Sequence, residues 1–596
     1  MMDKRTIFLA VGIADILLSC ILFTGQQYFS VVAMLGIMAL AACGIAILLC
    51  AYGYGPHHEH KNRFSLRSLL IALSVASAVL IAYESFYDIS PGLPKNIWID
   101  LLTAIAAFLA IAIGILAMNW INSKVGTKRY KSYALIIILI AVVSVPVFAL
   151  QTYRITATKW LGSDELLFNY YASYLFIYGT NPYTATMMPV LAAHSINPTL
   201  TLNGTCECSY DYPAMSFLLP AAAGLAGGNF INSVVFVTIV LMVAIAFLLY
   251  KKLGVAYALL PIAVWFAFFF YIAQAPIDQL FAVSLFLLVA YVYRAKPLLS
   301  GLFSGLAAST HQLAWFAIPF LFILILKESG KKPMLRSIAV AIIIFAVVNG
   351  YFVIASPSAV GNIFSLLFTK LQFIGPSLMQ FLVVFYPTAY WYSSFAVVLT
   401  LVSGLVMFYL YTDRLRHLIV IVPIVIFFLS WRNLFSYSFV FIPLLIAIYY
   451  SEKREVSHDL LKGSAFAKYA LVFILVLAFA VMVYAHIAYA KSVDTLHITS
   501  VMPNIARNAT GTSITSMSVN VSNNANMPET IFFYTVSRNP DSTQWFYGSE
   551  AETIPPHDYY NYTLPYRLQP TNSTQMRLFL MSNKEIRSVE IRLTYP

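Results

Sequence analysis

Charge is scarce in this sequence: Asp, Glu, Lys and Arg together make up 10% of its 596 residues. Soluble domains carry about 25%, so an ordinary water-soluble globule is excluded. Cysteine is scarcer still, and five in so long a chain cannot form a stapling framework. The 26 glycines and 27 prolines fall far short of collagen or a low-complexity linker. Repeats are lacking too, with no solenoid period and no inverted repeat of the transporter kind. What is plentiful is apolar: 60% of residues are hydrophobic and mean hydropathy is +0.79.

The apolar residues are gathered into about 15 runs suited to a hydrocarbon core roughly 30 Å thick. They lie near 6–25, 29–52, 67–87, 97–121, 132–153, 229–250, 254–273, 277–293, 298–310, 311–327, 336–356, 391–411, 418–431, 434–450 and 469–490. The first follows Lys4 and Arg5 but lacks a small-residue cleavage site, so it is expected to be an anchor. With the N-terminus in the cytoplasm, 23 of the 36 basic residues fall in inside segments. Five, Lys95, Arg154, Lys159, Lys370 and Arg432, fall in outer loops. That asymmetry is the positive-inside rule, which places the C-terminus outside. The net charge of +12 then reflects topology and implies no nucleic acid. Sequons at Asn203, Asn508, Asn520, Asn561 and Asn572 all fall on the outer side of this arrangement. A prokaryotic cell membrane is the favoured location, with the ER membrane as the alternative.

The expected fold is an all-α polytopic membrane protein with a small β-rich exoplasmic domain at its C-terminus. Residues 1–131 form a four-span accessory region. Residues 132–490 form the core, with outer loops 154–228 and 357–390. Within the first loop, 213–228 is short, apolar and rich in Pro and Gly, so it is read as interfacial or re-entrant. Residues 491–596 alternate with period two in Ser513–Val521, Thr530–Val536, Arg577–Met581 and Val589–Tyr595, the mark of strands.

Long outer loops are disproportionately functional. The first contains LGSDELLFNYYASYLFIYGTNPY, residues 161–183. Gly162 and Ser163 suit a turn and N-cap, placing Asp164 and Glu165 in the first helical turn, where the dipole stabilises carboxylates. Leu167, Tyr171, Tyr174 and Tyr178 recur at helical spacing, which predicts an amphipathic helix on the membrane surface. Gly179 ends it, Asn181-Pro182-Tyr183 turns, and Tyr210-Asp211-Tyr212-Pro213 leads into the apolar segment. Asp278 opens a later run at its outer end, His311 lies in GLFSGLAASTHQLAWFAIP (301–319), and Arg432 interrupts the hairpin 418–450 near Tyr437.

In the order of these motifs and their common side, residues 132–450 resemble the GT-C superfamily of membrane glycosyltransferases. The layout is similar to protein O-mannosyltransferases, aminoarabinose transferases and polyprenyl-phosphomannose-dependent mannosyltransferases. The resemblance implies an inverting transfer of a hexose, mannose-like by preference, from a polyprenyl phosphate to a hydroxyl. The acceptor would be a glycan, lipid or protein, with the bilayer holding the carrier. Such a transfer needs a base for the acceptor proton and cations for the departing phosphate. The expected base is Asp164, with Glu165 orienting the acceptor. A divalent ion on Asp164, Glu165 and Asp211 is an open option. Asp211 and Asp278 would position the sugar, and His311 and Arg432 would contact phosphate, with Tyr437 nearby. Where the resembling families often carry Lys, this chain has His311.

Each residue also has a plain structural explanation. The acid pair can be a helix N-terminal pair, Arg432 can snorkel to headgroups, and His311 can be a polar turn residue. Asp211 and Asp278 can be solvated loop acids. Asp15, Glu84 and Asp100 receive no catalytic role, and His57-His58-Glu59-His60 reads as a solvated cytoplasmic loop. Cys206 and Cys208 are open to oxidation, although a bridge across one residue is constrained. Cys20, Cys43 and Cys50 read as span residues. A multi-pass transporter or lipid flippase, and a catalytically silent assembly subunit, are the alternatives to an enzyme.

Overall fold

The computed structural model describes residues 164–194, 199, 206–225, 230–253, 278–361, 363, 393–413, 415–430, 437, 440–451, 496–508, 511–539, 542–547, 552–565, 574–582 and 586–593. The region 1–131, the runs 132–153, 254–273 and 469–490, the cap at Ser163 and Arg432 lie outside the described residues. So do Asn203 and Asn572.

Eleven helices of six residues or more are described. They are α1 (Asp164–Ile177), α2 (Met188–Ala193), α3 (Met215–Gly224), α4 (Phe230–Leu253), α5 (Asp278–Val292) and α6 (Pro297–Ala308). Then follow α7 (Ile318–Ser329), α8 (Lys331–Ala355), α9 (Ser393–Leu410), α10 (Leu418–Leu429) and α11 (Ile442–Ser451). A 3₁₀ turn, Pro182–Thr184, follows α1, and another, Gln312–Phe316, joins α6 to α7. The runs 298–310 and 311–327, taken from sequence as two crossings, therefore meet in a tight hairpin. At 1.5 Å per residue the 12-residue α6 is roughly 18 Å long, well short of a hydrocarbon core. The segment 213–228 contains α3, whose 10 residues include Pro220. Two stretches among the described residues, Gln312–Ser329 and Lys331–Ala355, are long and apolar enough to cross a membrane by length and composition.

Glycine decides the closest helix pairing. α6 packs along α8, and a Cβ on Gly305 would sit 2.7 Å from Ala341 O and 2.8 Å from the Ile344 Cβ. Gly301, four residues earlier, meets Ser337 in the same way. Small residues at i and i+4 thus let two backbones touch, as helices do where side chains would hold them apart.

The outer surface of α8 inverts the usual order of inside and outside. Leu335, Ile342, Ile343, Val347, Val353 and Ile354 are exposed, while Ser337 and Asn349 are buried. α4 repeats the pattern, with Phe236, Val240 and Phe247 exposed and Ser233 and Thr238 buried. Water would favour the opposite assignment by about 1.5–3 kcal/mol per large aliphatic side chain.

α1 departs from the face expected of it. Leu167 is fully buried, but Tyr174 and Tyr178 of the same stripe are exposed, and it is Asn169 and Ser173 that turn inward. The cause is hydrogen bonding to α3 and to the loop ahead of it. Tyr210 Oη donates to Asn169 Oδ1 at 2.8 Å, and Ser173 Oγ donates to Phe217 O at 2.9 Å.

Residues 496–593 form two antiparallel sheets, β1–β2–β6 and β4–β3–β7–β8, with β5 (Glu552–Ile554) beside β3. The strands are β1 (Leu496–Asn508), β2 (Gly511–Asn523), β3 (Glu529–Asn539), β4 (Ser542–Tyr547), β6 (Asp558–Pro565), β7 (Thr574–Ser582) and β8 (Ile586–Leu593). Met517, Val519 and Val521 from one sheet share a core with Ile531, Phe533, Leu578 and Leu580 from the other. The period-two stretches 513–521, 530–536 and 577–581 lie inside β2, β3 and β7. Asn520 and Asn561, both sequon residues, stand directly opposite one another on β2 and β6.

Candidate active site

The N-terminus of α1, the loop 206–214 and the tip of the α6–α7 hairpin converge on Glu165. This side chain is 1% exposed although it lies in a first helical turn. Its Oε1 accepts a hydrogen bond from Gln279 Nε2, on the first turn of α5. The same oxygen lies 3.3 Å from His311 Nε2.

His311 is held in one tautomer by the chain around it. It precedes the 3₁₀ turn 312–316, and its Nδ1 accepts the Leu313 backbone N–H at 3.1 Å. A ring nitrogen that accepts a backbone N–H carries no proton, so the proton sits on Nε2 and faces Glu165. The ring also packs against Tyr212 and Tyr437, with centroids 5.2 and 6.0 Å away. His311 Nε2 thus lies beside Glu165 Oε1 without completing a hydrogen bond to it.

Asp164, the neighbour of Glu165, is half-buried. Its Oδ1 accepts the Glu165 N–H at 2.9 Å, and its Oδ2 accepts the Thr199 hydroxyl at 2.8 Å. Asp211 is 6% exposed, and its main-chain oxygen accepts Gln312 Nε2 at 2.6 Å. Between the acids stands Tyr212. Burial first, then the charges of Glu165, Asp211, Tyr437 and Asp164, raises its phenol well above the usual tyrosine value. Tyr212 thus stays protonated beside the carboxylates and offers them no added negative charge. Tyr183 is raised in the same sense by burial and by Asp211, and donates to Tyr212 O at 2.7 Å.

The loop is fixed from behind. Ala214 N donates to Asn349 Oδ1 at 2.9 Å, Met215 N to Ser309 O at 2.9 Å, and Asn349 Nδ2 to Ser309 Oγ at 3.4 Å. One asparagine in the middle of α8 therefore couples loop 206–214 to the end of α6. Cys206 and Cys208, just ahead of Asp211, stand with their sulfurs side by side.

Of the residues expected at the site, Asp164, Glu165, Asp211, His311 and Tyr437 come together around Tyr212. Asp278 begins α5 directly before Gln279, but its side chain is outside the described residues. Gln279, Gln312, Thr199 and Asn349 were not anticipated. The available signal was an uncharged polar residue inside or beside an apolar run, a costly placement unless it is hydrogen-bonded. Among the described residues no three His, Cys, Asp or Glu side chains are grouped to hold a metal ion. Glu165 Oε1 instead accepts the Gln279 amide, so the divalent ion considered from sequence finds no support in this donor set. The chain matches no protein-family model, no curated protein and no solved structure.

Proposed function

We propose that the protein is an inverting membrane glycosyltransferase using a polyprenyl-phosphate sugar, with its site on the outer face. The observation that carries this is the buried Glu165–His311–Gln279 cluster beside Asp164 and Asp211. Burying carboxylates is expensive, and such arrangements concentrate where chemistry requires them.

The inverted surfaces of α4 and α8 support a bilayer setting. Lipid accepts exposed Ile and Val without penalty, while Ser and Asn need the protein interior. In the proposed reaction an acceptor hydroxyl oxygen attacks the anomeric carbon from the face opposite the phosphate. The new C–O bond forms as the bond to the phosphate oxygen breaks, and polyprenyl phosphate departs with the electron pair. Asp164, the more accessible acid, takes the hydroxyl proton. Glu165, held by Gln279 beside His311, fixes the reacting groups in place. The phosphate contact is assigned to Arg432 on its sequence position alone.

The test is transfer of labelled hexose from a polyprenyl phosphate to membrane extract by the purified protein and by Asp164→Asn. Equal transfer by both would remove Asp164 as base. A second reading, transport, draws on the broken α6–α7 hairpin with polar groups at its tip, a feature that transporters use. Flux into liposomes with no covalent product would favour it.

A further inference from the structure

The C-terminal domain carries two Asn-X-Ser/Thr sequons on one face of one sheet, and the fold treats them differently. Met517, Val519 and Val521 of β2 lie in the core, so Ser518, Asn520 and Ser522 stand on the outer face. β2 runs between β1 and β6, and these three residues lie directly opposite Thr563, Asn561 and Tyr559 of β6. Residues i and i+2 of a strand share a face. Each sequon therefore presents its asparagine and its hydroxyl together, Asn520 with Ser522 and Asn561 with Thr563.

The first sequon is closed. Asn520 is half-buried, and its Nδ2 donates to Ser500 Oγ of β1 at 2.9 Å. Ser522 stands between His497 of β1 and Tyr559 of β6, and is 4% exposed. The second sequon is open. Asn561 and Thr563 are both exposed, on an edge strand that pairs within its sheet with β2 alone. Such a strand can lift locally while the β1–β2 hairpin, with its Asn520–Ser500 bond, stays shut. Tyr559, two residues before Asn561 on the same face, is 72% exposed and offers its ring to the apolar side of a first sugar. Directly opposite residues have Cβ atoms about 5 Å apart, so a sugar on Asn561 would also cover Asn520.

We propose that Asn561 is a site of N-linked glycosylation and that Asn520, with the same motif, is left unmodified. The inference rests on the outer placement of the C-terminal domain and is independent of the transferase reading. The co-reactant is a lipid-linked oligosaccharide, brought by a separate glycosylating enzyme. Asn561 Nδ2 bonds to its anomeric carbon and gives up one amide proton to a base of that enzyme. The carbon–oxygen bond to the lipid phosphate breaks, and the phosphate leaves with the electron pair.

The experiment is peptide mass spectrometry on the full-length protein purified from the membranes of the cells that make it. The peptide containing Asn561 is expected to carry a glycan mass, and the peptide containing Asn520 to be bare. Asn561→Gln removes that mass. Thr563→Val removes it with Asn561 still in place, whereas Thr563→Ser, which keeps the hydroxyl, retains it. Both Thr563 changes are made on an exposed edge position, so the comparison between them separates the motif from any effect on folding. A glycan on Asn520, alone or beside one on Asn561, overturns the selection. Retention of the mass in Thr563→Val, or a bare Asn561 in the wild type, overturns the modification. In the bare case, protease added to intact cells separates two failures. A tail that is cleaved leaves the outer placement standing, and a protected tail overturns that placement as well.

Discussion

The two ends of the α5–α7 bundle treat charge in opposite ways. At one end Glu328 receives Arg294 at 2.7 Å and Arg416 at 2.6 Å, and Arg416 also reaches Asp413 at 3.6 Å. Arg294 lies over the Tyr291 ring, and Lys327 over that of Tyr409. Opposite charges are matched there, and the cluster joins the ends of α5, α7 and the α9–α10 connection. At the other end Glu165, more deeply buried, has the Gln279 amide and the nearby His311 ring in place of a lysine or arginine among the described residues. Matched ions hold helices in register, whereas a carboxylate bonded to an amide, with one oxygen unpartnered among the described residues, retains capacity for a ligand. The first arrangement suits a foot and the second a site.

Substitutions can break this contrast, beginning with the largest effect. Asp164→Asn is expected to lower hexose transfer by roughly 10²–10⁴-fold, the range for loss of general acid–base function, and Glu165→Gln by about 10²-fold, the scale of lost positioning. Their thermal midpoints in detergent should stay close to wild type. Glu328→Ala should do the reverse. It removes the nearer carboxylate from the buried Arg416, which keeps Asp413 at 3.6 Å, and with Glu328 a quarter exposed the cost is about 1–2 kcal/mol, read as a lowered midpoint. Were Glu328→Ala to abolish transfer at unchanged stability, the division into foot and site would fail.

Gly305→Ala places a methyl against Ala341 O and should destabilise by about 1–3 kcal/mol, whereas Gly350→Ala, where nothing lies within 4 Å, should be neutral to stabilising by up to about 1 kcal/mol. The smallest effect concerns His417, ahead of α10, which burial lowers from 6.5 to about 4. Its folded value lies below its unfolded one, so the unfolded chain gains a proton first as pH falls. Stability from this group is present above about pH 6.5 and is lost as the pH falls toward 4. A midpoint series from pH 7.5 to about 4 should show that loss in the wild type and less of it in His417→Gln.

Hydropathy found the helices better than their ends. The run 336–356 becomes α8 from Lys331, because Lys331, Lys332 and Arg336 lower the average without breaking the helix. The acid pair was legible because carboxylates at a helix start in a charge-poor chain stand out. Gln279 and Gln312 were not, since a search for charge passes over amides, and only the fold brings residue 279 to residue 165. For α1, periodicity identified a tyrosine face but could not say which face is buried. The bonds from Asn169 and Ser173 to Tyr210 and Phe217 decide that, and they join residues some 40 positions apart. In the β region, alternation marked the stretches with aliphatic cores. β1, interrupted by Pro503 and two register shifts, has no comparable pattern.

The contact of α6 with α8 has a consequence for access. Where Gly301 and Gly305 bring the backbone of one helix onto Ser337 and Ala341 of the other, no hydrocarbon can slip between them. A prenyl tail attached to the proposed donor cannot reach the hairpin tip through that seam. It must thread in from another flank, so the two glycines would set the direction of traffic into the site while standing well away from its acids.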